Sequence, residues 1–115
     1  MITKKLRFHG HGSLRFLYKN ADTLRSRLFT VRLISNPNRK VSRFSVVVSK
    51  KVHKSSVGRN RIRRRIYEIL RNEHQNMHST WDVAVIVTSG EVIAATHEEL
   101  VTALRELFTQ AGVYK

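Results

Sequence analysis

Six arginines lie close together between Ser55 and Arg71, in the segment SSVGRNRIRRRIYEILR. A guanidinium presents a planar set of N–H donors that can bind two phosphate oxygens at once and can stack on a base. Asn60 stands between the first two arginines, and its amide can donate to or accept from a base, a 2′-hydroxyl or a metal-bound water. The residue types in this segment therefore favour binding of a partner rich in phosphate.

The same segment has the period of a helix. At 100° per residue, its apolar residues form one stripe about 100° wide, enough to dock on a sheet: Ile62, Ile66, Ile69 and Leu70. Arginines border the stripe on both sides, and like-charged pairs such as Arg61 and Arg65 destabilise an isolated helix by about a few tenths of a kcal/mol each. Glu68, four residues after Arg64, is the acid expected to offset them. Folding alone gives no reason for such an arrangement, whereas a polyanionic partner does.

Charge is divided unevenly along the 115 residues. The chain has 22 lysines and arginines against 8 acids, a net charge of +14, and residues 1–71 hold 20 of the basic residues but only 2 of the acids. A basic excess confined to one part of a chain is typical of proteins that bind nucleic acid. A helix that binds membrane surfaces would carry bulky aromatic residues on its apolar face, and this one has isoleucines. We therefore predict a nucleic-acid partner and no membrane partner.

Several other classes of protein are disfavoured by composition. The chain has no cysteine, so neither disulfides nor thiolate zinc sites are available. No apolar run approaches the ~20 residues of a membrane span, and the first residues, MITKKLRFHGHGS, lack the apolar core of a secretory signal. We predict a cytoplasmic protein.

The histidines and acids do not predict a protein-built active site. His9 and His11, and His74 and His78, have possible ligand spacings, but few acids are near them in sequence, so no metal site is predicted. A nuclease acting alone would need clustered carboxylates or a paired acid and base. The carboxylates are instead scattered along the chain, and we predict no catalytic residue in the protein.

Periodicity predicts a single α+β domain over residues 1–115, with two layers in which helices pack on a sheet. The predicted order is a helix from 12 or 13, strands 23–26, 28–35 and 43–50, a helix from 55 or 56 to 74, a strand 81–89, and a helix from 96 to 112. Thr96 and Glu99 form a capping box, and Gly112 is suited to end the last helix. An antiparallel hairpin followed by a β-α-β unit is expected.

One face of the strand RFSVVVSK is unusually polar. Ser45, Ser49 and, if the strand continues, Lys51 lie opposite the face that carries Phe44. We expect this face of the sheet to be open to a ligand.

A family resemblance rests on the segment SKKVHKSSVGRNRIRRR. SKK at Ser49–Lys51, followed after seven residues by RNRIRRRI at Arg59–Ile66, resembles the signature of the protein subunit of bacterial ribonuclease P. Arg7-Phe8 ahead of an amphipathic helix, the strand LFTVRLI, the buried strand after the arginine helix and a final leucine-rich helix also fall where that family has them. The resemblance covers nearly the whole chain.

The resemblance implies an αβββαβα fold similar to a ribosomal-protein domain, with a left-handed β-α-β crossover. It implies that the RNA subunit carries the chemistry and binds most of the Mg²⁺. The protein would bind this RNA and the 5′ leader of precursor tRNA, and would assist endonucleolytic removal of the leader. The implied partners are the catalytic RNA, with one protein per RNA, and precursor tRNA.

The resemblance also assigns residues to two binding sites. Those implied to contact the RNA subunit are Arg59, Asn60, Arg61, Arg63, Arg64, Arg65, Lys50 and Lys54. Those implied to line a cleft for the leader, between the first helix and the sheet, are Leu14, Tyr18, Thr30, Arg32, Ser49 and Lys51.

The chain departs from the family pattern at a few positions. An aromatic residue is common where Leu14 and Arg32 stand, and a basic residue often occupies the position of Tyr67. We expect Arg63 and Arg71 to compensate for the basic residue missing at Tyr67. The alternative interpretation is a ribosomal or other structural RNA-binding protein with a similar domain and no role in tRNA processing.

Overall fold

A computed structural model describes residues 22–35, 40 and 42–114. The predicted first helix, with Leu14 and Tyr18, lies outside the described residues, as does most of the turn predicted at NPNRK. The described elements are β1 (Asp22–Arg25), β2 (Phe29–Ser35), β3 (Arg43–Val47), α1 (Ser56–Glu73), β4 (Trp81–Val87) and α2 (His97–Ala111). Short 3-10 helices cover His74–Asn76 and Gly90–Ala94.

The four strands form one sheet in the order β1-β2-β4-β3. β1 pairs antiparallel with β2, β2 pairs antiparallel with β4, and β3 pairs parallel with β4. The parallel pair is connected through α1, so the predicted hairpin and β-α-β unit are both present, and the predicted α+β class is confirmed. The left-handed sense of the crossover stays a prediction.

The hydrophobic core lies between one face of the sheet and the two helices. Alternate residues of β2 pair with alternate residues of β4 on this face, as in Val31 opposite Val85, and both of these side chains are fully buried. The predicted stripe of α1 is buried against this face, with each of its four side chains at most 2% exposed. From α2 the buried residues are Leu100, Leu104, Leu107 and Phe108.

The ends of α2 are those predicted from sequence. Thr96 and Glu99 form the capping box, in which the Thr96 hydroxyl accepts from the Glu99 amide and the Glu99 carboxylate accepts from the Thr96 amide. Gly112 ends the helix with φ of 73°, in the left-handed region that glycine adopts most readily. None of the helices in the described ranges is long and apolar enough to cross a membrane.

The opposite face of the sheet is less open than expected. Thr30 and Ser45 are each 9% exposed, and Ala84, which pairs with both Arg32 and Ser45, is fully buried. The expectation of an open polar face is therefore wrong at Thr30 and Ser45. Ser49 and Lys51 are exposed, but they lie beyond the end of β3 and not on this face of the sheet.

Tyr67 fixes the outer edge of β3. Its hydroxyl accepts a hydrogen bond from the backbone N–H of Val46 at 3.0 Å, and both residues are buried. β3 is at the edge of the sheet that the described strands form, so none of these strands lies beside this N–H to accept from it. The residue that departs from the family pattern thus has a structural role on the side of α1 that faces the sheet.

A polar cluster joins the end of α1 to α2 and to the C-terminal residues. The buried Glu73 carboxylate accepts from Arg105 Nε at 2.6 Å and Nη2 at 3.2 Å, and from the Tyr114 hydroxyl at 3.0 Å. Burial, together with the neighbouring carboxylate, raises the pKa of Tyr114 above its ordinary value.

Candidate nucleic-acid interface

The chain enters α1 through a turn that carries three lysines. The Ser49 carbonyl accepts from the backbone N–H of Val52 at 3.1 Å and of His53 at 3.3 Å, which closes the turn directly after β3. We call residues 49–54 the lysine turn, because Lys50, Lys51 and Lys54 are all exposed on it. The predicted RNA contacts at Lys50 and Lys54 thus lie beside the start of α1.

Ser55, one of the two serines at which the sequence predicts the helix to begin, caps α1. Its hydroxyl accepts from the Gly58 N–H at 3.2 Å, and its carbonyl accepts from the Arg59 N–H at 3.0 Å. A capping hydroxyl satisfies one of the amides that the first helical turn leaves unpaired. The first arginine of the motif therefore follows one turn after the cap.

Two of the arginines point away from the fold. Arg61 and Arg64 are exposed, and neither makes a hydrogen bond or ion pair with another residue of the part of the chain that the structure describes. Arg63 donates to the side-chain oxygen of Asn60, which is also exposed. Together these four residues present the outward surface of the first half of α1.

Two other arginines of the motif bind backbone carbonyls. Arg59 donates through Nη1 to the carbonyls of His53 at 2.9 Å and Lys54 at 2.8 Å. Arg65 donates to the carbonyls of Val92 at 3.3 Å and Ala95 at 2.6 Å, in and just after the second 3-10 helix. Each guanidinium keeps further N–H donors, but its position is set by the fold.

Glu68 does not offset the charge of Arg64, contrary to the prediction from sequence. It forms an ion pair with Arg71 instead, three residues further on, and this hydrogen bond lowers the pKa of the Glu68 carboxylate. Arg64, at i,i+4, and Arg71, at i,i+3, compete for this one carboxylate, and Arg71 lies in the last turn of the helix, where a cation is favoured. Arg64 is left to face solvent.

The residues predicted for the leader cleft lie in two places. Thr30 and Arg32 are on the outer face of β2, and Ser49 and Lys51 are on the lysine turn. Thr30 pairs with Ile86, and Ile86 pairs with Val47, so these three residues form one row across the sheet. Ser49 follows Val47 by two residues along the chain. Leu14 and Tyr18, the other predicted cleft residues, lie outside the described residues.

Sequence reasoning did not find the contacts that hold the lysine turn and α1 in place. The carbonyl contacts of Arg59 and Arg65 leave no sequence signal, because any residue supplies a carbonyl. Gly58 did offer such a signal, since an isolated glycine in a helical pattern often marks a place where another group packs closely against the helix backbone. A Cβ at this position would lie 2.2 Å from Cε1 of His53.

No protein-built metal site is evident in residues 22–35, 40 and 42–114. No group of three or more histidine, aspartate or glutamate side chains there is arranged to hold a metal ion. The chemistry that this surface offers is hydrogen bonding and charge neutralisation toward phosphate.

Comparisons with known proteins agree with the arrangement. A family model described as Ribonuclease P matches residues 2–112. The ribonuclease P protein component of a Synechocystis strain is 28% identical over 112 residues, covering 97% of this chain and 90% of the relative. That of Desulfosudis oleivorans is 33% identical over 96 residues, covering 84% and 77%.

Solved structures show the same fold. The RNase P protein from Staphylococcus aureus is 24% identical, with a TM-score of 0.83 and coverage of 96% of this chain and 98% of that one. The RNase P protein from Thermotoga maritima is 22% identical, with a TM-score of 0.75 and coverage of 88% and 94%. The chain belongs to the ribonuclease P protein family, the protein component of an endoribonuclease complex that acts in tRNA 5′ processing and includes an RNA.

Proposed function

We propose that this protein is the RNA-binding subunit of ribonuclease P, which binds the catalytic RNA through the outward surface of α1 and acts in the cytoplasm. The observation that carries the proposal is the exposure of Arg61 and Arg64 beside the lysine turn. The family match and the concentration of basic residues in residues 1–71 support it. One protein is proposed to bind one RNA.

The arginines and lysines are proposed to have different tasks. Arg61, Arg63, Arg64 and Asn60 would bind phosphates and sugars of the RNA subunit, aided by Lys50, Lys54 and the remaining donors of Arg59 and Arg65. Side-chain donors on a helix that the core holds rigid can reach several phosphates without reordering.

The 5′ leader of precursor tRNA is proposed to lie along the other side of the lysine turn. Ser49 and Lys51 are exposed there, and Thr30 and Arg32 lie on the adjoining face of β2. Leu14 and Tyr18 complete the proposed contact set. A protein that contacts the leader would favour precursor over mature tRNA, because mature tRNA lacks it.

Mg²⁺ is proposed to be held mainly by the RNA subunit, where it would activate the water that cleaves the phosphodiester. The contribution of this chain is cationic. Its positive side chains would neutralise phosphates that otherwise repel one another where RNA subunit and substrate meet. The complex should therefore need less Mg²⁺ than the RNA alone.

Reconstitution tests the proposal directly. The protein is mixed with its cognate catalytic RNA at low Mg²⁺, and cleavage of precursor tRNA at the mature 5′ end is measured. We expect strong stimulation by the protein with its RNA and no cleavage by the protein alone. If a demonstrably folded protein gives no stimulation, the ribosomal-type alternative is favoured instead.

A further inference from the structure

Three contacts fasten the lysine turn to the first turn of α1. Arg59 reaches back to the His53 and Lys54 carbonyls at 2.9 and 2.8 Å. The Ser55 N–H donates to Nδ1 of His53 at 3.2 Å. The His53 ring lies directly against Gly58, where a Cβ would be 2.2 to 2.8 Å from three ring atoms.

These contacts depend on one another. The imidazole can lie over the helix only because position 58 has no side chain, and from there its Nδ1 faces the Ser55 amide. The two carbonyls that Arg59 binds belong to His53 and to the next residue, so the ring contact and the guanidinium contact fix the same piece of backbone. We call His53, Gly58 and Arg59 the clamp.

The clamp lies between two groups of cations. Along the chain, exposed Lys51, proposed to contact the leader, comes before the clamp, and exposed Arg61 and Arg64, proposed to contact the RNA subunit, come after it. Because like charges repel one another, the cations of α1 favour a lysine turn that lies further from the helix, and the clamp contacts oppose this repulsion. Holding both groups at a fixed separation has a use if both contact one RNA assembly at the same time.

We propose that the clamp is a positioning device, which sets the register between Ser49 and Lys51, proposed to contact the leader, and the arginines of α1, proposed to contact the RNA subunit. This inference rests on the proposed function and adds residues to it: His53 and Gly58 act through the lysine turn without touching RNA. Arg59 belongs to the clamp as well as to the basic motif.

Gly58→Ala tests the clamp without changing any charge. The new methyl group displaces the His53 ring, while alanine is a better helix former than glycine. We expect RNA-subunit affinity to stay within about twofold, and the preference for precursor over mature tRNA to fall by about threefold to tenfold. Val57→Ala is the matched control, because Val57 is one residue earlier, uncharged and 73% exposed.

His53→Ala supplies a second variant and a coupling test. In the His53→Ala background the ring is gone, so adding Gly58→Ala should produce no further drop in preference. A spectroscopic measurement separates loss of positioning from loss of the fold. The ¹⁵N NMR chemical shifts of the His53 ring in the wild type should show Nδ1 as the unprotonated acceptor, and this signature should disappear in Gly58→Ala. Urea unfolding of each variant verifies that the fold is retained.

The outcomes distinguish this inference from the proposed function. If the wild type fails to stimulate cleavage, the proposed function is wrong. If the wild type stimulates and folded Gly58→Ala keeps the full preference for precursor, the clamp does not set the register. Equal decreases of RNA-subunit affinity and precursor preference in Gly58→Ala, or additive effects of the two substitutions, would also overturn the inference.

Discussion

Arg61 is a side chain whose removal is expected to disturb the interface and to leave the fold intact. It is exposed and has no partner within the described residues, so Arg61→Ala should change the free energy of unfolding by less than about 0.5 kcal/mol. RNA-subunit binding should weaken by about 1–3 kcal/mol, as measured by filter binding or fluorescence titration.

Arg71→Ala is the matched control for Arg61→Ala. It removes the same charge from the same helix, ten residues or about 15 Å further along, where Arg71 pairs with Glu68. From sequence we expect Arg71 to compensate for the basic residue missing at Tyr67, but its pairing with Glu68 removes that expectation, so the effect of Arg71→Ala on RNA affinity should be much smaller. Equal decreases in affinity for the two variants would show that net charge, rather than the outward surface of α1, governs binding.

Tyr67→Phe is predicted to affect stability and not RNA binding. The substitution removes the hydroxyl that accepts from the buried Val46 N–H at 3.0 Å. Leaving a buried donor without its acceptor costs about 1–3 kcal/mol, which urea unfolding would detect. An unchanged unfolding free energy would mean that water reaches the edge of β3, and weaker RNA binding with full stability would place Tyr67 in the interface.

At the scale of elements, α1 and α2 could be predicted from sequence to within a residue or two. Ser55 as the cap and four apolar residues at helical spacing determine α1, and these signals are local. The order of strands was not predicted, because β4 lies between β2 and β3 through pairing with strands that are distant from it in sequence. The contacts of Arg65 were not predicted either, because its acceptors Val92 and Ala95 are 27 and 30 residues away along the chain.

The candidate site was predictable in part for the same reason. The basic composition of α1 and the lysine turn can be read from sequence, and the helical period places Arg64 opposite the apolar stripe, where the structure has it exposed. Which of the arginines bordering the stripe are held by the fold cannot be read from sequence, because only the carbonyl contacts of Arg59 and Arg65 distinguish them from Arg61. The pairing of Glu68 with Arg71 was missed because two arginines on the helix are within its reach.

The cluster that joins α1 to α2 predicts a pH dependence at the alkaline end. The pKa of Tyr114 is raised in the fold, so above about pH 10 the unfolded chain loses this proton while the folded chain keeps it. Stability should therefore be unaffected by this group below about pH 10 and should fall as the pH rises beyond it. Relative to that of Tyr114→Phe, the unfolding free energy of the wild type should fall by up to about 1.4 kcal/mol per pH unit in this range.

This difference in unfolding free energy can be measured by urea unfolding of the wild type and Tyr114→Phe. The measurements should run from about pH 8 to about pH 11.5, on either side of the ordinary tyrosine pKa. At the lower pH the variant should be somewhat less stable, since it lacks the hydrogen bond to Glu73 at 3.0 Å. The two curves should converge as the pH rises. Parallel curves over the whole range would show that Tyr114 ionises as readily in the fold as in the unfolded chain.

At the scale of the molecule, charge follows the two helices. Exposed cations are concentrated on α1 and the lysine turn, at Lys50, Lys51, Lys54, Arg61 and Arg64, whereas α2 exposes Glu98, Glu99 and Glu106 beside Arg105. Both helices pack on the same face of the sheet; within the described residues, we call the surface of α1 and the lysine turn the basic side and the surface of α2 the acidic side. A polyanion approaching such a field is attracted to one side and repelled from the other, which favours a single docking orientation.

The salt dependence of RNA binding tests whether the basic side acts through local phosphate contacts. Binding that neutralises several phosphates releases their counterions, so log affinity should fall steeply and linearly with log salt. Arg61→Gln with Arg64→Gln should reduce the magnitude of the slope by about 0.7–0.9 for each phosphate that the protein no longer neutralises. Glu98→Gln with Glu106→Gln changes net charge by the same magnitude but with the opposite sign, on the acidic side, and should leave the slope unchanged. A flat dependence in the wild type would contradict the arginine interface. Slope changes of equal magnitude and opposite sign in the two double variants would mean that the overall field, not contact at α1, attracts the RNA.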